Sequence, residues 1–120
     1  MHSEITCLFA LDIKPGMLSS FKSLVAEIVS VVRNEPGTIL YEYSANEQGD
    51  KAFIVERYKD SASIISHVDE SFGPFAERFL SFVSITSLVI QGTPSADARH
   101  RLDAFSPLYM TPFDGCKKWA

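Results

Sequence analysis

The sequence predicts a single α+β domain in which an antiparallel sheet is backed by helices, in the order β-α-β-β-α-β. Three observations carry this. Residues 17–33 repeat apolar side chains at helical spacing. Residues 38–45 and 52–59 read as two strands around a short polar loop, the pattern of a hairpin. Residues 61–82 read as helical segments broken at Gly73-Pro74 and lead into a last strand.

Each element follows from local composition. Residues 4–13 nearly alternate, with Ile5, Cys7, Phe9 and Leu11 on one face, and Lys14-Pro15-Gly16 ends the strand. The first helix gathers Met17, Leu18, Phe21, Leu24, Val25, Ile28, Val31 and Val32 on one side, and Asn34-Glu35-Pro36-Gly37 closes it. The hairpin strands, 38–45 and 52–59, flank Asn46-Glu47-Gln48-Gly49-Asp50. Ile39, Tyr41 and Tyr43 oppose Leu40, Glu42 and Ser44; Phe53, Val55 and Arg57 oppose Ile54, Glu56 and Tyr58. Apolar or aromatic groups on both faces imply that both are covered, one by helices and the other by a second sheet.

Asp60 is placed as the N-cap of a helix over roughly 61–71, and Pro74 suits the first turn of a second piece over 74–82. Residues 84–91 form the last strand, completing the ferredoxin-like order. This divides the chain into a body, 1–92, and an extension, 93–120. The extension opens with a short helix over about 96–104. Its remainder lacks a regular period but holds Leu108, Tyr109, Met110, Phe113 and Trp119, so it is expected to pack on the body or on a partner subunit.

Composition narrows the function. The chain has 120 residues, 46% of them hydrophobic, which suffices for one core. Its net charge is −4, from 11 basic and 15 acidic side chains, and the basic residues are scattered. That excludes a nucleic-acid surface and a cationic face for anionic lipid. No apolar run reaches the length of a membrane span, and no leader pattern opens the chain. A cytoplasmic location is therefore expected, with Cys7 and Cys116 as free thiols. His2, His67 and His100 show no metal-ligand spacing with the cysteines. Phosphate loops, nucleophile elbows and dinucleotide fingerprints are absent.

Glu35-Pro36-Gly37-Thr38 running into Leu40-Tyr41-Glu42-Tyr43, Glu56-Arg57-Tyr58-Lys59-Asp60 with His67 seven residues on, and Lys14-Pro15-Gly16 together form a pattern over residues 4–91. That pattern resembles the antibiotic-biosynthesis-monooxygenase family. The resemblance implies a dimeric α+β barrel in which two sheets pack face to face. It also implies one of several activities: oxygenation of quinol-like or polyketide aromatics without flavin, haem or metal, isomerisation of a phosphorylated compound, or haem degradation. The haem-degrading branch uses an Asn, a Trp and a His. Aligned with it, His67 takes the place of the Trp and Glu77 that of the His, which disfavours haem. A phosphorylated substrate calls for an Arg/Lys cluster, which the scattered charges do not supply.

The expected activity is thus cofactor-independent oxygenation of a small quinol-like or polyphenolic compound by O2. The alternatives are a non-oxidative isomerase or lyase on the same fold and a non-catalytic dimer binding a small apolar ligand. Oxygenation without a cofactor needs an apolar pocket, a base to ionise the substrate, and donors for the resulting oxyanion. Candidate catalytic residues are His67, Tyr58 and Glu56. His67 sits at the margin of its helix's apolar face and serves either as base or as a surface histidine. Glu56 and Glu42, both mid-strand, read as members of an ion pair across a dimer; Glu56 reads alternatively as a buried acid. Tyr41 and Tyr43 are placed as substrate-binding hydroxyls or as ordinary sheet residues. Phe72, Phe75 and Phe79, with Phe82, form an aromatic stripe that packs the core or walls a pocket.

Overall fold

The computed structural model describes residues 3–118. Strand β1 (Ile5–Ile13) leads to helix α1 (Leu18–Val32), the hairpin β2 (Thr38–Ala45) and β3 (Lys51–Tyr58), and helix α2 (Ser61–Ser66). A π-helical segment (His67–Phe72) and a 3-10 turn (Gly73–Phe75) follow, then α3 (Ala76–Phe82), β4 (Val83–Gln91), α4 (Ala96–Leu102), a second 3-10 turn (Asp103–Phe105) and β5 (Leu108–Met110). The strands form one open sheet in the order β2-β3-β1-β4-β5. The β-α-β-β-α-β body is as read from the sequence. The expected sheet was wholly antiparallel; instead β5 runs parallel to β4 and adds a fifth strand.

Strand register sorts the side chains by face. Cys7 pairs with Glu56 and Ile90, Phe9 with Ile54 and Leu88, and Tyr41 and Tyr43 with Glu56 and Ile54. This is the face beneath the helices. Phe21, Leu24, Ile28 and Val32 of α1, Ile64 of α2 and Phe79 of α3 are buried against it. Leu24, Ile28 and Ile90 have no exposed surface at all. The opposite face carries Thr6, Leu8 and Ala10 against Arg57, Val55 and Phe53, with Leu40, Glu42 and Ser44 beyond them. Within one chain only its Thr6–Arg57 end has cover, beside residues 112–117. Phe53 and Leu40 are exposed on this face, and so is Glu42.

Two local features shape the helical layer. Asp60 caps α2 as expected, its carboxylate accepting from the Ser63 backbone N–H at 2.9 Å and from the Ser63 hydroxyl at 2.6 Å. Gly37 makes room for that turn. A Cβ on Gly37 would lie 1.8 Å from Ser63 Oγ and 2.6 Å from Ser63 Cβ, so the turn before β2 admits no side chain. The helix expected over 61–71 does not continue as an α-helix. From His67 its ladder widens to i→i+5 spacing, ending with the Gly73 N–H donating to the Val68 carbonyl. The change comes just ahead of Pro74, which has no N–H to donate and whose ring disfavours a regular turn behind it.

The extension packs on the body. Ala98 and Leu102 of α4 are buried, and Phe105 meets Phe9 edge-on with ring centroids 5.9 Å apart. Ser95 caps α4, accepting from the Ala98 N–H. Tyr109 of β5 faces the helices, while Leu108 and Met110 extend the open face. The stretch read as aperiodic thus contains a strand, whose three residues are too few to show a period. Phe113 is 99% exposed, so not every apolar residue of the extension finds cover within the chain. Trp119 and His2 lie outside the described residues.

Candidate active site

A small cavity of about 50 Å3 lies between the sheet and the helices. Cys7, Tyr43, Ile54, Glu56 and Tyr58 line it from the sheet; Ile64, His67, Val68, Phe72 and Phe79 line it from the helical layer. Ile85, Leu102 and Phe105 close one end. The walls are apolar apart from a few polar tips, the mix common to small-molecule sites.

The polar tips are joined. Tyr58 donates its hydroxyl proton to Glu56 at 2.5 Å. Glu56 lies 4.0 Å from His67 Nε2. On the other side of the ring, His67 Nδ1 lies 3.0 and 3.2 Å from the two carboxylate oxygens of Glu35. Thr38 donates to Glu35 at 2.6 Å. The imidazole is held between the rings of Tyr41, Tyr58 and Phe72, with centroids 5.1, 5.5 and 6.2 Å away. The hydroxyls of Tyr41 and Tyr43 share a 2.8 Å hydrogen bond.

Burial sets the protonation of these groups. It raises the Glu56 carboxyl above its ordinary range; His67 and the Tyr58 hydroxyl pull the other way, and the charge of Glu35 adds to the rise. Burial and then the nearby Glu56 push the phenols of Tyr58, Tyr41 and Tyr43 upward, so they are hydrogen-bond donors. The Cys7 thiol is raised for the same two reasons, which leaves it unreactive. Among the described residues, no cluster of three or more His, Cys, Asp or Glu is arranged to hold a metal.

The fold brings together most of the residues singled out in sequence. His67 is 4% exposed, not at a helix margin: its N–H still donates to the Ser63 carbonyl of α2, one turn beyond the buried Ile64, and Glu35 and the rings of Tyr41, Tyr58 and Phe72 cover it. Glu56 is 7% exposed and faces the cavity; Glu42, on the opposite face, is apart from it, so the two do not share an ion-pair site within the chain. Tyr41 lies tilted against His67 and Tyr43 lines the cavity, as do Phe72 and Phe79, whereas Phe75 is half-buried against the core. Glu35 was legible only as part of the Glu35-Pro36-Gly37 turn. No spacing rule links it to a histidine 32 positions later.

The family description "Antibiotic biosynthesis monooxygenase" matches residues 4–72, more than half of the chain. The chain belongs to the antibiotic biosynthesis monooxygenase family. Among solved structures it is similar to MupZ from Pseudomonas fluorescens, with a TM-score of 0.88 at 19% identity, covering 98% of this chain and 91% of that one. SnoaB from Streptomyces nogalater, a cofactor-independent oxygenase, superposes with a TM-score of 0.65 at 12% identity, over 78% of this chain and 96% of SnoaB. A conserved protein from Methanosarcina mazei Go1 gives 0.67 at 17%, over 77% and 93%. At these identities the likeness is one of fold. The MupZ match takes in nearly the whole chain, α4 and β5 included. No curated protein matches significantly. No helix among the described residues is long and apolar enough to cross a membrane.

Proposed function

We propose that this family member is a cofactor-independent monooxygenase acting on a small quinol-like or polyphenolic compound. The observation that carries the reading is His67, buried at an apolar cavity with Glu35 on one ring nitrogen and Glu56 near the other. In this reading His67 Nε2 removes a proton from the substrate hydroxyl or its activated carbon. The resulting anion passes electrons to O2 and forms a carbon–oxygen bond. The peroxide takes back the proton from His67; as the same carbon then gives up its hydrogen, the O–O bond breaks to leave a carbonyl, and Glu56, kept toward its neutral form by burial, protonates the departing hydroxide to give water. Tyr58 holds Glu56 in place, and the Tyr41–Tyr43 pair orients the substrate oxygen. The closed cavity is far smaller than the several hundred Å3 of typical ligand sites, so a ring-sized substrate enters by displacing the wall formed by Phe72 and Phe105.

A neutral acid beside a base favours a second reading, because that pair alone moves protons with no oxidant. A non-oxidative isomerase or lyase needs nothing more. Oxygen uptake by the pure protein over a panel of quinols and polyphenols separates the two. Oxygenation predicts O2 consumed in step with product, with His67→Ala losing about 10²–10⁴-fold in turnover and Tyr58→Phe losing less. Product formed without O2 consumption would replace the first reading by the second.

A further inference from the structure

We propose that Glu35 is a positioning residue that fixes the tautomer of His67 and links the buried imidazole to solvent. The inference rests on reading His67 as the base. It deepens that reading by adding a residue from a different element and a route for protons.

Glu35 stands where two spaces nearly meet. Its carboxylate faces His67 Nδ1 at 3.0 Å, and His67 lines the apolar cavity. The same residue lines a separate, open hollow of about 260 Å3 on the surface, shared with Thr38, Lys59, Asp60, Ser63 and Ser66. The side chains of His67 and Glu35 are only 5% and 11% exposed. The imidazole therefore has no wet side of its own, and the carboxylate has a narrow one. The sequence of groups runs from cavity to Nε2, from Nδ1 to Glu35, and from Glu35 to water in the hollow.

The chemistry follows from the two nitrogens. In a neutral imidazole one nitrogen carries the proton and the other the lone pair. A carboxylate against Nδ1 accepts its hydrogen, which leaves the lone pair on Nε2, facing Glu56 and the cavity. When Nε2 takes a proton from the substrate, the imidazolium forms with a counter-charge already in contact. Nδ1 can then give its proton to a Glu35 oxygen, which releases it to water in the hollow. When Nε2 hands its proton on to the reacting intermediate in the cavity, a proton entering through Glu35 returns to Nδ1 and restores the starting tautomer. The cavity is reset without opening. Thr38, donating at 2.6 Å, holds the carboxylate in this orientation.

The test is nitrogen-15 NMR of the histidine side chains at alkaline pH, on the full chain. It needs no substrate, so it stands apart from the oxygen-uptake result. Wild type should show His67 as the Nδ1–H tautomer. Glu35→Gln should give mixed tautomers, since an amide can donate or accept, and should slow exchange of the ring N–H with water by roughly tenfold or more. Thr38→Val, which leaves His67 untouched, should fall between them, and circular dichroism of both variants should match wild type. With an identified substrate, Glu35→Gln should lower kcat on the order of 10²-fold or more at little-changed KM, as for carboxylates that orient catalytic histidines. An Nε2–H tautomer in wild type, or ring N–H exchange unchanged in Glu35→Gln, would overturn the assignment.

Discussion

Tyr58 donates its hydroxyl proton to Glu56 across 2.5 Å, although the two residues are only two apart on one strand. Period-two alternation places both on the buried face of β3. The carboxyl is therefore satisfied by a neighbour while burial raises its pKa.

That rise has a sign in stability. The folded chain holds the Glu56 proton at pH values where the unfolded chain, near the ordinary 4.5, has lost it. The contribution is complete below the unfolded value and disappears as pH rises through the folded one. Glu56→Gln, neutral at every pH, should gain on wild type as pH increases from about 4.5 upward. Thermal midpoints across that range measure the gap; a gap independent of pH would sink the assignment.

Gly37→Ala should destabilise the fold by about 1–3 kcal/mol, the usual cost of forcing atoms into filled space. The cause is local, since the new Cβ meets Ser63 Oγ and Cβ. In a Ser63→Gly background the penalty should shrink, and a chemical-denaturation double-mutant cycle reads the coupling directly. Equal penalties in both backgrounds would place the cause elsewhere.

Leu102→Ala should cost about 2–5 kcal/mol, because Leu102 is buried beneath α4 and closes one end of the cavity. Removing the chain from Ser95 onward should do more. It strips Phe105 from Phe9 and uncovers the edge of β4. A lower melting temperature and poorer solubility are the expected readouts. Unchanged stability would show that the extension contributes nothing to the body.

The open face of the sheet should be the seat of a homodimer. Phe53, Leu40, Leu108 and Met110 are exposed there, and an obligate interface on it should bury on the order of 2,000 Å2 or more. Sedimentation at low micromolar concentration should find two chains, and Phe53→Glu should shift the population toward one. A folded monomer in wild type at that concentration would leave the exposed side chains without this explanation.

The body of the fold was legible because period and punctuation agree there. The α1 stripe, the polar loop between β2 and β3, and the Asp60 cap each depend on neighbours within a few residues. Three features depend on something farther away. β5 is recruited by the free edge of β4, not by its own three residues. The burial of His67 depends on Glu35 and the rings of Tyr41, Tyr58 and Phe72 closing over it, which a helical wheel does not contain. Glu35 meets His67 only because the turn before β2 and the start of the π-helical segment pack side by side. Sequence therefore supplied the residue types of the candidate site, while their pairing came from tertiary contacts.

The π-helical segment separates foldability from activity. It fits one more residue into its turn than an α-helix does, and Asp69, paired with Arg101, and Glu70, which accepts from Ser66, lie on its exposed side. A chain lacking either could draw the turn between His67 and Gly73 back to α-helical spacing, with Pro74 still ending the ladder. Everything on one side of the deletion would then turn by about 100° relative to the other, so that His67 and Phe72 could no longer face the same cavity. Shortening the chain by a single exposed residue should give a protein that folds and melts cooperatively while its candidate site is taken apart.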